Sequence, residues 1–174
     1  MKIADVLLLD FDTAISNARR TLERIPADNA AWKPNEKSMP IGKLAMHCAT
    51  MPLFGSYIFE DDAMDLADPN SKRKHADLTF TTSENLLKTL DDTAAKCRES
   101  LASASDEHLS ADWKFSFGEQ LISHASRAKT YRQMCFDHLI HHTAQLGVYL
   151  RLLDIPVPGL YGPSADEPWA PKKS

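Results

Sequence analysis

The sequence predicts an all-α fold, a four-helix bundle within one domain spanning residues 1–174, and three observations predict it. Four long stretches repeat apolar residues at steps of three and four, the period of a single helix face. A chain of 174 residues, 43% hydrophobic and 25% charged, closes one sizeable core and makes a second domain unnecessary. No internal repeat, low-complexity tract or glycine-rich linker divides it, and prolines cluster at helix boundaries and in the tail.

The first helix is expected within residues 1–24, where Ile3, Leu7, Phe11, Ala14, Ile15, Ala18 and Leu22 form one stripe. Pro26 and Asp28-Asn29 close it. The second spans 40–60: Ser38-Met39-Pro40 reads as an N-cap followed by proline in the first turn, and Ile41, Leu44, His47, Met51, Phe54 and Ile58 share a side. Pro52, inside that run, should bend it. After a polar stretch from Glu60 to Phe80, Thr82-Ser83-Glu84 starts a third helix, residues 82–104, with Leu86, Leu87, Leu90, Ala94 and Leu101 behind it. Trp113, Phe115 and Phe117 alternate within 111–117, a stretch expected to be too short for a sheet and to pack as a loop. The fourth helix, 126–154, carries Tyr131, Met134, Cys135, His138, His142, Leu146, Tyr149 and Leu153 until Pro156 and Pro158 forbid more turns, leaving 155–174 as a tail.

Composition narrows the function classes. Twenty Lys and Arg against 24 Asp and Glu give a net charge of −4, and Lys72-Arg73-Lys74 is the longest cationic run, so binding to nucleic acid is not expected. The apolar run Val6-Leu7-Leu8-Leu9 lies between Asp5 and Asp10, too short and too acidic for a signal-peptide core or a membrane span. A soluble, cytoplasmic protein with no membrane partner is expected. Cys48, Cys97 and Cys135 are odd in number and widely spaced, which fits neither a disulfide framework nor a thiolate zinc site.

Three of the seven histidines stand out. His138 and His142 lie about 40° apart on one helical face, with Cβ atoms roughly 6 Å from each other, so both rings can address one ion. His142 falls near the middle of the apolar meridian and His141 about 100° round from it, towards an edge or solvent. His47 shares the core stripe of the second helix. Three neutral imidazoles bind a zinc-type ion at about 2.0–2.1 Å and leave a coordination position open for water or substrate. An inward histidine is more often hydrogen-bonded in a core than bound to metal, so the pattern alone leaves both readings open. His75, His108 and His124 read as surface or loop residues. Cys48 and Cys135 adjoin the candidate ligands, which leaves a thiolate role open beside the commoner one of small buried residues. Gln145 stands within reach of His142 as a weak candidate to orient its ring, whereas Asp137 points about 100° away from His138.

The segments Trp32-Lys33-Pro34, Ser38-Met39-Pro40-Ile41-Gly42-Lys43-Leu44-Ala45-Met46-His47 and His138-Leu139-Ile140-His141-His142-Thr143-Ala144-Gln145-Leu146 resemble the DinB/YfiT family. So does the ending from Tyr149-Leu150-Arg151 through Pro156-Val157-Pro158-Gly159 to Asp166-Glu167. The resemblance spans nearly the whole chain. It implies a four-helix bundle, often a homodimer, holding a nickel- or zinc-type ion between helices 2 and 4 through His47, His138 and His142. Many relatives carry arginine and glycine after the histidine pair, where this chain has Thr143 and Ala144, so a cationic substrate contact there does not carry over.

Some relatives are metal-dependent transferases that attach a small thiol, such as bacillithiol or mycothiol, to electrophiles or maleylpyruvate-like acids. The resemblance therefore implies thiol-dependent S-transfer in detoxification or stress response, with a small-molecule thiol and an electrophile as partners. Two alternatives stand beside it: a non-catalytic metal or small-ligand binding dimer, and a metal-dependent hydrolase. The hydrolase would need a carboxylate base near the open position, and none stands at metal spacing. The polar stretch 60–80 and the tail from Pro156 are candidates to shape the pocket mouth.

Overall fold

A computed structural model describes residues 1–71, 73 and 76–169. Helix α1 (Ile3–Leu22) buries Leu7, Phe11, Ala14, Ala18 and Leu22 on its predicted stripe. Its Leu9, on the opposite side, stays 68% exposed. Helix α2 (Ile41–Glu60) is buried on nearly all sides, as a central helix must be. Pro40, not Ser38, occupies its N-cap position, and no side chain caps it. The fixed φ of proline pre-sets the turn there without a hydroxyl acceptor. Pro52 lies buried within α2 and does not end it.

Helix α3 (Ser83–Ser103) begins where Thr82 accepts from the Asn85 amide at 3.1 Å, the cap the sequence announces. A one-turn helix, α4 (Asp106–Ser110), follows. The last helical run is continuous in course but changes pitch: α5 (Arg127–Tyr131), a π-helical stretch (Arg132–Phe136), then α6 (Asp137–Leu152). Helix α2 packs on α3 and α6, and α1 packs on those same two, enclosing one core.

The all-α expectation is corrected by a three-stranded sheet of order β1-β2-β3: β1 (Ala63–Asp65), β2 (Asp112–Phe117) and β3 (Gln120–Ser126). Strand β1 pairs parallel with β2, and β2 pairs antiparallel with β3. The alternation at Trp113 and Phe115 is a strand face pressed on the helices, both side chains being buried. A register irregularity between Phe115 and Ser116 then turns Ser116 inward and leaves Phe117 exposed. Gly118 makes the hairpin with φ 57°, a conformation glycine adopts without penalty. Its amide donates to Asp65 Oδ1 at 2.8 Å, tying the hairpin to β1.

The C-terminal end of α2 is fixed by side chains from the later elements. The guanidinium of buried Arg127 donates to the Ile58 and Asp61 carbonyls, and Trp113 Nε1 donates to Asp61 O at 2.9 Å. His108 Nε2 lies 2.7 Å from Phe59 O. Last-turn carbonyls without helical partners are thereby satisfied, and the sheet is clamped beside α2. None of the described helices is long and apolar enough to cross a membrane.

Candidate metal centre

His47 projects from the middle of α2 and His138 and His142 from successive turns of α6, and the structure brings all three together. The ring centroids lie 5.2 Å (His47–His138), 4.9 Å (His47–His142) and 4.6 Å (His138–His142) apart. One nitrogen from each ring falls within 4.8 Å of the others, a group that could hold a metal ion.

The neighbours of each ring allow one assignment of the imidazole protons. His142 Nδ1 lies 2.7 Å from Gln145 Oε1, and His138 Nδ1 lies 3.4 Å from Met134 O. Both acceptors are oxygens, so assigning a proton to each Nδ1 leaves both Nε2 atoms as lone-pair acceptors. Those two Nε2 atoms face each other at 2.8 Å. Two acceptors so close repel unless a proton or a cation lies between them. In a tetrahedral zinc site, bonds of 2.0–2.1 Å place ligand nitrogens about 3.3 Å apart, so the two rings would have to part by roughly half an ångström to share such an ion.

Burial lowers the pKa of all three rings. For His47 the value falls to about 4, first through desolvation, then through the charges of His142, His138 and Lys43. For His138 and His142 desolvation is also the main cause, opposed by the Met134 carbonyl and the Gln145 amide oxygen respectively. Neutral imidazole is the form that binds metal. The donor set therefore fits a borderline divalent cation.

The other sequence candidates divide clearly. Gln145 contacts His142 as its position suggests, whereas Asp137 and His141 are exposed, His141 with its ring 4.9 Å from that of His142. His124 is exposed on β3, and His108 braces the end of α2. The assignment of His75 lies outside the described residues. All three cysteines are free and buried, and burial pushes the Cys48 thiol up to about 12. Cys97 is raised as well, by its hydrogen bond to Cys135 and by burial. A reactive thiolate needs the opposite environment, so the core reading of these cysteines holds.

Beside the histidines opens a cavity of about 430 Å³ lined by His47 and His138. Its walls include Phe115 of β2, Met134 of the π-helical stretch, and Met64, Leu66 and Leu78 from the segment between α2 and α3. The segment 60–80 thus contributes to the site, while no described tail residue is among its walls. Phe115 and Met64 are not legible in the sequence as site residues. The only signal is the Trp113, Phe115, Phe117 alternation, which marks a strand face without saying what it faces.

A mostly helical chain with a small sheet and an imidazole group from two helices defines a class of candidate metal-binding helical proteins. The model of the DinB superfamily matches residues 10–146, and the chain belongs to that superfamily. Its fold is similar to the crystal structure of the DinB-like protein YjoA from Bacillus subtilis, with TM-score 0.64 and 22% identity, over 87% of this chain and 94% of that one. A DinB-like protein from Bacillus cereus is similar with TM-score 0.62 and 14% identity, over 88% of this chain and 95% of that one. No curated protein matches the sequence.

Proposed function

We propose that this protein binds a divalent metal ion, nickel or zinc, through His47, His138 and His142, and joins a small-molecule thiol to a small electrophile in cytoplasmic detoxification or stress response. The observation that carries the reading is the pair of Nε2 acceptors facing each other at 2.8 Å beside an apolar cavity. When bound, such an ion lowers the pKa of a thiol next to it, as it does that of water.

The chain's own residues do the rest. Gln145 Oε1 and Met134 O hold the Nδ1 protons and aim both Nε2 atoms at one point. Desolvation keeps the imidazoles neutral at pH 7, so they stay available as ligands. The apolar walls exclude water and seat the electrophile against the histidines. The protein's cysteines are buried, so the thiol comes as a substrate.

A hydrolase is the weaker alternative, because no described residue lining the cavity is a carboxylate able to act as a base. A non-catalytic metal or small-ligand binding dimer is the second reading, favoured by exposed Ile3, Val6 and Leu9 along α1, an apolar edge suited to a second copy. Metal analysis of the purified protein, together with a thiol screen against a model electrophile, decides among the three. The transferase reading expects bound metal and turnover only with thiol, both lost in His142→Ala. Turnover without thiol supports hydrolysis, and bound metal without turnover under either condition supports the binding dimer.

A further inference from the structure

Helix α2 borders two hollows in succession. His47, Met51 and Phe54 line the apolar cavity, whereas Lys43, one helical turn before His47, lines a separate open groove of about 620 Å³. Four residues of helix advance about 6 Å along its axis, so groove and imidazoles are neighbours. Asp77, Thr79 and Phe80 also line the groove, and Ala76 and Leu78 line both hollows, standing where the two adjoin. Lys43 is exposed. Among the described residues, which include every Asp and Glu, lysine ion pairs use Lys33, Lys88 and Lys96, and Lys43 has no carboxylate partner. Asp77 shares the groove, but its carboxylate is held in its own turn, accepting from the Thr79 amide at 2.9 Å. The first amides of α2 are taken as well: Ile41 donates to Trp32 O at 2.8 Å and Gly42 to Ala30 O at 2.9 Å, which leaves the lysine as the donor an anion would meet there.

The charge of Lys43 reaches His47, where it disfavours a positive charge. A divalent ion held by the three histidines would meet the same repulsion, and an anion lying between ion and lysine relieves it, because both attract it. We infer that Lys43 holds the acid group of the thiol substrate, a small mercaptocarboxylate that enters from the groove with its sulfur toward the histidines, while the electrophile occupies the apolar cavity. Lys43 is then a specificity-determining residue, and α2 carries the thiol's anchor, a metal ligand and the electrophile's wall in that order. The inference rests on reading the histidines as the thiol site of the proposed transferase.

The test compares 3-mercaptopropionate with 3-mercaptopropionamide, alike in reach and differing in charge. Each is titrated calorimetrically into the full-length protein as purified, in wild type, Lys43→Gln, Lys43→Arg and Asp77→Asn, with metal content measured in parallel. A bound ion attracts a carboxylate by itself, so the readout is the change in the acid-to-amide affinity ratio between variants, in which that contribution cancels. The ratio is expected to fall about fivefold in Lys43→Gln, the upper end of what an exposed charge pair supplies. It should be kept in Lys43→Arg, rise in Asp77→Asn, and lose its dependence on Lys43 at high salt. Lys43→Met serves if Lys43→Gln does not fold. A ratio equal in wild type and Lys43→Gln overturns the inference, as does failure of both thiols to bind wild type at millimolar concentration. A ratio that depends on Lys43 in protein without thiol-dependent turnover keeps the inference and removes the transferase, and turnover with a ratio indifferent to Lys43 does the reverse, so the two failures are distinguishable.

Discussion

The seam between α2 and α6 and the seam that α1 and the end of α6 make with the tail both use polar side chains, and they use them in opposite ways. At the tail, Glu167 accepts from Arg20, Arg24 and the Gly159 amide, and Asp166 accepts from Arg151 at 2.5 Å and from the Val157 amide at 2.8 Å. Each acceptor has a donor, and water reaches the edges. On α6, where it faces α2, the imidazoles of His138 and His142 are turned on each other in an apolar setting. The tail seam positions a chain segment at little energetic cost. With both Nε2 atoms unprotonated the histidine seam is destabilising, as expected of a group that could hold a metal ion.

The widest separation of the two seams is expected from His142→Leu. Removing one of the three proposed ligands should cut metal affinity by more than about 100-fold, beyond the roughly 10- to 100-fold loss typical of a group that only orients a ligand. With metal stripped, the same variant should be as stable as the wild type or slightly more so, because an apolar side chain of similar size ends the repulsion of facing acceptors. Metal titration and thermal melts of both forms check this. A metal-free melting temperature that falls by more than about 5 °C, roughly 1–3 kcal/mol for a chain this long, would make the histidines structural and erase the contrast.

Rigidity beneath the histidines sets the next effect. A Cβ at Gly55 would stand 2.7 Å from Cys97 Sγ and 2.9 Å from Cys135 Sγ, both fully buried, so the close approach of α2 to α3 and the π-helical stretch requires glycine. Gly55→Ala should cost about 1–3 kcal/mol by overpacking, seen as a lower midpoint in denaturant with an unchanged slope. Retained stability would mean that this platform yields easily and does not hold His138 in register.

The seams should also fail in different pH windows. The folded-state pKa of His47 is lowered from 6.5 to about 4, so its neutral form is favoured by folding. The metal-free protein should therefore keep full stability above pH 6.5 and lose it progressively between 6.5 and about 4. Glu167 and Asp166 are lowered from 4.5 and 3.8, by the Gly159 amide and Arg24 for the first and by Arg151 and the Val157 amide for the second. Their contribution is present above those values and lost as pH falls through the lower folded ones. Melts across about pH 3–8 should show the histidine loss first, and a single step below pH 4.5 would contradict it.

Much of this contrast could be read from the sequence, and the physical reason differs by element. Helical periodicity is a local property, so the stripes of α1, α3 and α6 and the cap at Thr82 follow from neighbouring residues. His138 and His142 are related by a single helix turn, and His47 lies on the core stripe of the second helix, so all three point inward by local pattern alone. The sheet was hidden because β2 finds its partners in the largely exposed β3 and the three-residue β1, neither of which carries a periodic signal. The cavity was hidden for the same reason: Met64, Phe115 and Met134 come from three elements, and only tertiary structure makes them neighbours. The π-helical stretch leaves no mark in composition either, since widening one turn changes register and not residue type.

The smallest effect expected is at the tail, from Glu167→Gln. Exposed ion pairs hold geometry more than they add stability, since solvent screens them and two side chains must be ordered. The carboxamide of that variant would keep an acceptor for the Gly159 amide while losing the charge that draws Arg20 and Arg24 together. The melting temperature should stay within experimental scatter of the wild type, and metal content should not change. Limited proteolysis after Pro156 should nevertheless become several-fold faster, because the tail is held there by these side chains, with Arg24 also donating to the Pro156 carbonyl at 2.9 Å. A loss of metal in this variant would show that the two seams are coupled through α1 and α6, and the division between a site seam and a fastening seam would have to be given up.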